Sequence, residues 1–202
     1  MIISIVNLKG GVAKTTTSIY FAQAAIKEGC KTSIILDADP QASAYLWYKE
    51  VRKSAGFLVA MTPSPLMLKD YVNHATRDEL IIIDTPPTDS PIGIIAAAIE
   101  VADFILIPTK AGALEPKQVI ETINLCGDKP KGLLITDAKL GTNCLKETKE
   151  GWKISGYPLL GVITNRTFIA TDASTGKINE YAVAQHQPIL SEILKQERVT
   201  IS

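Results

Sequence analysis

Short runs that are apolar at every position alternate along the chain with longer segments whose apolar residues recur every three to four positions. The runs are Ile2–Val6, Thr32–Leu36, Leu80–Ile83, Phe104–Ile107, Leu133–Thr136 and Leu159–Thr164, with Leu58–Met61 as a further short one. Continuous rather than alternating apolarity predicts strands covered on both faces. The helical segments between them are Thr15–Glu28, Ala42–Ala55, Leu66–Thr76, Pro91–Ala102, Pro116–Gly127 and Cys144–Gly156. Pro91 and Pro116 suit a first helical turn, and Gly29 suits the left-handed residue that ends a helix. Alternation of this kind predicts right-handed βαβ crossovers. The expected fold is therefore α/β: a single domain over residues 1–202 built on one doubly wound, mainly parallel sheet with helices on both faces. No repeat, linker or low-complexity segment interrupts it.

Composition changes this picture little. Hydrophobic residues make up 46% and charged residues 21%, ordinary globular usage that supports a packed core. Lys plus Arg and Asp plus Glu each number 21, which excludes nucleic-acid binding through overall charge but leaves room for a local basic patch. The opening residues MIISIVNLKGG lack the basic-then-apolar pattern of a signal peptide. The longest apolar window, Ile92–Ile99, falls short of the roughly 18 residues that a membrane span needs. A soluble, cytoplasmic protein is expected. Cys30, Cys126 and Cys144 are scattered and His74 and His186 isolated, a pattern that fits small buried or half-buried side chains better than a disulfide, zinc or cluster site.

In a doubly wound sheet the ligand lies beyond the carboxyl ends of the strands, so the residues that follow each strand carry the chemistry. They are Asn7-Leu8-Lys9-Gly10-Gly11, Asp37-Ala38-Asp39-Pro40-Gln41, Asp84-Thr85-Pro86-Pro87 and Pro108-Thr109-Lys110. The segment Lys9-Gly10-Gly11-Val12-Ala13-Lys14-Thr15-Thr16 joins a strand to a helix. Glycines there would let consecutive N–H groups turn inward on a phosphate at a helix N-terminus. Lys14 would reach the β- and γ-phosphates and the Thr15 hydroxyl would ligate Mg²⁺. The strict pattern G-x-x-x-x-G-K-[ST] is not met, because Leu8 and Ala13 hold its two glycine positions. Any one of Asp37, Asp39 and Asp84 taken alone favours a turn or helix cap. The three together at the mouth of a glycine-bearing loop favour Mg²⁺–nucleotide.

These motifs resemble a known family. Lys-Gly-Gly-x-x-Lys-Thr-Thr is similar to the deviant Walker A motif of the ParA/MinD group of P-loop ATPases. Asp37-x-Asp39-Pro40-Gln41 resembles the motif that follows it in ParA partition ATPases, and Ile83-Asp84-Thr85-Pro86-Pro87 resembles their Walker B region. The likeness continues through Asp103–Pro108 and Gly161–Arg166. Because the chain begins at its first strand, it resembles the short plasmid-type form that lacks an N-terminal DNA-reading domain. The resemblance implies that Lys14 binds phosphate and that Thr15 ligates Mg²⁺, with Asp37 and Asp84 supporting the metal. It implies that Asp39 orients the attacking water and that Lys9 crosses an ATP-dependent homodimer interface. The lone-residue reading of Lys9 is a solvated surface lysine. Asp137 and Asn165, after late strands, are placed to approach the base; ATP rather than GTP comes from the resemblance.

The activity so implied is ATP hydrolysis serving DNA segregation. Ala13, where the family usually has glycine, departs from the pattern and predicts that ATP still binds but that hydrolysis is slow. An ATP–Mg²⁺ dimer would hold nonspecific double-stranded DNA at the nucleoid, and a ParB-like centromere-binding partner would stimulate release. Arg166, Lys177, Lys195 and Arg198 are the candidates for the DNA face. A MinD-like membrane-positioning ATPase is an alternative, but the spacing of Ile193, Leu194 and Ile201 predicts a final helix docked on the core rather than one lying in a headgroup layer. A small-molecule ligase resembling dethiobiotin synthetase is another, against which the Asp37-x-Asp39-Pro40-Gln41 motif speaks. An electron-transfer role like that of the nitrogenase iron protein lacks cysteines with cluster-bridging spacing.

Overall fold

A computed structural model describes residues 1–87, 92–112, 116–164 and 177–200. Seven strands, β1 (Ile2–Ile5), β2 (Thr32–Asp37), β3 (Leu58–Met61), β4 (Glu79–Asp84), β5 (Phe104–Lys110), β6 (Lys131–Ala138) and β7 (Leu159–Thr164), form one sheet. Their order across it is β3-β2-β4-β1-β5-β6-β7, and every pairing is parallel. Seven helices lie among the described residues: α1 (Lys14–Lys27), α2 (Ser43–Val51), α3 (Pro65–His74), α4 (Ile92–Val101), α5 (Pro116–Leu125), α6 (Asn143–Ser155) and α7 (Glu180–Thr200).

The continuous apolarity of the strands has its reason in two core layers. Ile3, Ile5, Ile35, Ile82, Leu106 and Leu134 pack on one face under α1, α2 and α7. Their neighbours Ile34, Leu36, Ile81, Ile83, Ile105, Ile107, Leu133 and Ile135 pack on the other under α3, α4, α5 and α6. Successive side chains of a strand point to opposite faces, so a strand buried on both must be apolar throughout. At the outer edge this requirement lapses, and β3 leaves Leu58 55% and Met61 41% exposed.

Local signals set the helix ends. Ser64 Oγ accepts from Met67 N at 3.3 Å ahead of Pro65, and Thr142 Oγ1 accepts from Leu145 N at 3.3 Å; both are N-caps of the usual kind. Gly29 and Gly156, at φ 89° and 77°, follow the last residues of α1 and α6 in the left-handed form, as C-terminal caps require. Helix α2 is shorter than the predicted Ala42–Ala55, because Ala42 is itself left-handed at φ 53° and the chain turns from Arg52 toward Gly56. Gly56 passes so close to α1 that a Cβ there would stand 2.9 Å from Ile26 Cγ2. Strands β5 and β6 run past their predicted ends, since Thr109 and Lys110 pair with Ile135 and Thr136 although neither is apolar. Helix α7 starts at Glu180 and buries Ala182, Val183, Ile189, Leu190 and Ile193 against the core, as expected of a docked final helix. Pro91, Asn165, Arg166 and Ile201 lie outside the described residues.

Candidate functional site

The carboxyl edge of the sheet collects the predicted loop and its carboxylates. The segment between β1 and α1 turns through two left-handed residues, Gly11 at φ 72° and Ala13 at φ 65°, ψ 34°. Backbone of this form directs successive N–H groups to one side as an anion-binding concavity. Ala13 therefore holds, with a Cβ, a conformation that glycine adopts freely. Its carbonyl accepts from Thr17 N at 2.9 Å and opens α1. Val12 is buried, and its carbonyl lies 3.1 Å from the Thr136 hydroxyl at the end of β6. Lys14 is 7% exposed, and its ammonium donates to the carbonyls of Asn7 and Lys9, each at 3.0 Å. Burial lowers the Lys14 pKa, while the carboxylates of Asp84 and Asp39 pull it back up. One cation thus stands under the loop within the field of two of the three predicted acids.

Parallel pairing of β2 with β4 puts Asp37 opposite Asp84, on backbones about 4.8 Å apart. Both are the last residues of their strands rather than the first of a loop. Their surroundings separate them. Asp37 Oδ1 accepts from Asp39 N at 3.2 Å and Oδ2 from Tyr45 N at 2.9 Å, so its carboxylate ties the turn after β2 to the start of α2. Burial raises its pKa against these backbone bonds. Asp39 Oδ1 accepts from Gln41 N at 2.9 Å, which also fits a turn. Asp84 is different: it is fully buried, and neither carboxylate oxygen has a hydrogen-bond partner among the described residues. Burial pushes its pKa up to about 7; the nearby Thr15 hydroxyl favours the charged form, Asp37 opposes it, and Ser18 and Lys14 favour it. The Ser18 hydroxyl is meanwhile donated to Lys14 O at 3.1 Å.

An unpartnered buried carboxylate asks for a cation. Oxygen donors of this kind suit Mg²⁺, which takes one or two protein ligands and completes its shell with phosphate and water. No cluster of three or more His, Cys, Asp or Glu side chains that could hold a metal lies among the described residues.

The remaining predicted residues fall in several places. Gly10 is exposed with room for a Cβ, 3.9 Å from Pro87 Cβ, and Thr15 and Thr16 are half-buried at the start of α1. Asp137 lies within β6 at φ 56°, directly after the Thr136 that touches Val12, and pairs with Lys110 at 3.2 Å. Asn165 and Arg166 are outside the described residues, as is the side chain of Arg198. Lys177 and Lys195 are exposed but do not come together. Lys177 precedes the start of α7 near the carboxyl edge, where Gln185 Oε1 accepts from Thr164 N at 2.8 Å. Lys195 lines a cleft of about 390 Å³ at the opposite edge, beside Glu28 and Asp78. Glu180 and Lys195, 15 positions apart on α7, are separated by about 22 Å along its axis.

Sequence reasoning passed over three features. Asn7, 1% exposed, and Thr122, fully buried, bond the loop from behind; Thr122 has no local signal because its partner is 114 positions away. Lys146, Lys149 and Lys153 are all exposed on α6, and their three-and-four spacing, which puts them on one helix face, was readable.

A sheet of this order with a left-handed phosphate-type loop and an acid at the neighbouring strand end defines a nucleotide-binding α/β domain. The family described as CbiA, the CobQ/CobB/MinD/ParA nucleotide binding domain, matches residues 3–202, and the chain belongs to it. Over 125 residues, 61% of this chain and 55% of the relative, it is 35% identical to the maintenance of carboxysome distribution protein A of Gloeobacter kilaueensis. Over 134 residues, 65% of this chain and 59% of the relative, it is 25% identical to Protein ParA of Rhizobium radiobacter. The matches thus span less than two thirds of either relative's length. A McdA variant from Cyanothece, solved as an ATP complex, shares the fold with a TM-score of 0.75 at 17% identity, covering 96% of each chain.

Proposed function

We propose that this chain is an ATPase of the partition and positioning kind, in which ATP–Mg²⁺ joins two copies that hold nonspecific double-stranded DNA. A ParB-like partner bound to a centromere, or to another cargo, stimulates hydrolysis and release. The observation that carries the reading is the unpartnered, fully buried Asp84 beside Thr15 and Lys14 under the left-handed loop. Family membership supports nucleotide binding, and the ATP complex of the Cyanothece relative supports ATP. The names of the two curated relatives support a role in distributing a cargo.

In this reading the loop amides and Lys14 hold the phosphates, with the Lys14 ammonium exchanging two carbonyls for phosphate oxygens. Thr15 and Asp84 hold Mg²⁺, which when bound neutralises phosphate charge and orients it for in-line transfer. Asp39 orients the attacking water, and Asp37 keeps the Asp39 turn in register through its bond to Asp39 N. Lys9 reaches the nucleotide of the second copy. Phosphoryl transfer asks mainly for position and charge, and these residues supply both. Asp137 lies where the base approaches. The membrane alternative is less favoured because the apolar side of α7 from Ala182 to Ile193 packs into the core.

Calorimetric titration with ATP–Mg²⁺ and a phosphate-release assay test the reading. Wild type should bind and turn over slowly. Lys14→Ala should lose binding, and Asp84→Asn should lose the Mg²⁺-dependent part of it. Wild-type protein that binds no nucleoside triphosphate would overturn the proposal.

A further inference from the structure

Two buried side chains outside the proposed chemistry fix the point at which Lys9 leaves the chain. Asn7 Oδ1 accepts from Lys9 N at 2.8 Å, while its Nδ2 donates to Pro108 O in β5 at 2.7 Å. Thr122, in the middle of α5, donates its hydroxyl hydrogen to Gln118 O at 2.8 Å and accepts from Leu8 N at 3.2 Å. The hydroxyl is therefore oriented by its own helix, with lone pairs left for Leu8. The N–H groups of Leu8 and Lys9 are thus both held by side chains anchored on other elements. On the carbonyl side, Asn7 O and Lys9 O are held by the Lys14 ammonium, the group that phosphate would compete for. When nucleotide draws Lys14 away, the bonds from Asn7 and Thr122 are side-chain restraints on the Leu8–Lys9 backbone that do not depend on that ammonium.

We propose that Asn7 and Thr122 are positioning residues that set where Lys9 leaves the loop. They thereby control the ATP-dependent pairing of two copies separately from nucleotide affinity. This rests on the reading above that Lys9 acts across a dimer. It makes α5, whose Ile120 and Leu125 are 44% and 43% exposed, a mechanical neighbour of the pairing lysine rather than a mere cover for the sheet. Nucleotide affinity belongs to the turn from Gly10 to Thr15, which neither residue's side chain bonds.

Thr122→Val keeps the side-chain shape and removes the acceptor, and Thr122→Ser restores the hydroxyl. The two variants, wild type and Lys9→Ala are compared by binding of a fluorescent ATP analogue. Sedimentation of each is then followed with AMPPNP–Mg²⁺. Thr122→Val should bind nucleotide within about twofold of wild type, while its dimer dissociation constant rises about tenfold, the size of one lost hydrogen bond. Thr122→Ser should return to wild type. A Thr122→Val protein that pairs like wild type, or that loses affinity and pairing in parallel, overturns the inference, as does a serine variant that fails to rescue. A wild type that stays monomeric, or pairs without needing Lys9, instead strikes the dimer reading on which the inference stands, and takes the inference with it.

Discussion

Ala13 has φ 65° and ψ 34° where the phosphate turn enters α1. A Cβ in that region costs roughly 1–2 kcal/mol, and the loop accepts it because Val12 is pinned by Thr136 on one side and the α1 ladder begins on the other. Ala13→Gly relieves that strain but adds about 0.4–1 kcal/mol of freedom to the unfolded chain. Its melting temperature should therefore rise by no more than about 6 °C, while hydrolysis speeds up as the turn gains room to follow the phosphates. A melt and a phosphate-release assay on the same samples check both. His186 presents a different residue-scale balance. It is buried between Tyr20, stacked at 5.2 Å, and Phe21, edge-on at 5.9 Å, with Nδ1 against Ala182 O at 2.7 Å. Burial lowers its pKa from 6.5 to about 4. The unfolded chain then binds a proton that the folded one refuses, so stability is full above pH 6.5 and drains away as the pH falls through 4. Asp84 acts in the opposite sense, because its raised pKa favours the folded state as the pH falls from about 7. Comparing His186→Phe with wild type cancels that contribution. Chemical denaturation should show the variant gaining on the order of 3 kcal/mol relative to wild type between pH 7 and pH 4.

At the scale of elements, apolar runs located every strand, and bounds were missed where the ladder continues past the apolar run. Strand β7 and the edge strand β3 have the bounds that their apolar runs predict, and the central strands were located because both faces are core. Their ends were not, since Thr109, Lys110 and Asp137 are held by ladder pairing and by the Lys110–Asp137 ion pair rather than by apolarity. The start of α7 was hidden for a related reason. Its apolar residues are interrupted by Pro188 and polar neighbours and make sense only against α1 and β7. The site divides the same way. Lys14 and Asp84 stand out in local motifs, whereas Asn7 and Thr122 act through partners about a hundred positions away. The predicted basic residues illustrate the limit, because Lys177 precedes α7 and Lys195 lies toward its far end, while α6 aligns three lysines on one face. On the proposed function, α6 is the better phosphate-facing element. Lys195 stands in a cleft of mixed charge with Lys31, Glu28 and Asp78, whereas α6 brings three lysines to one face with one acid, Glu150, in the cleft that Lys149 and Lys153 share. Removing Lys146, Lys149 and Lys153 together should lower the slope of log affinity for duplex DNA against log salt by up to about 2.7, near 0.9 for each lost phosphate contact. Lys195→Ala should leave that slope unchanged. Fluorescence anisotropy across a salt series reads it directly.

The whole molecule links these parts through stability. A ligand that binds only the folded chain adds RT ln(1 + [L]/Kd), or about 2.7 kcal/mol at a hundredfold excess over Kd. For a chain of 202 residues, that is a rise of about 5–10 °C in melting temperature. If ATP–Mg²⁺ merely fills a pocket in one copy, the rise depends on nucleotide concentration alone. If it also joins two copies, folding is coupled to association, and the melting temperature must rise further with protein concentration. Melts of wild type at low and high protein concentration, with ATP–Mg²⁺ in excess, separate the two cases. We expect the concentration dependence to appear only with ATP–Mg²⁺. Lys9→Ala should abolish it while keeping the nucleotide increment, since on the proposed function Lys9 serves the second copy's phosphates and Lys14 its own. Lys14→Ala should lose both, and Asp84→Asn should keep only a remnant that magnesium does not change. Equal melting temperatures at all protein concentrations, with the nucleotide increment intact, would leave a monomeric nucleotide-binding protein and remove the dimer from the mechanism.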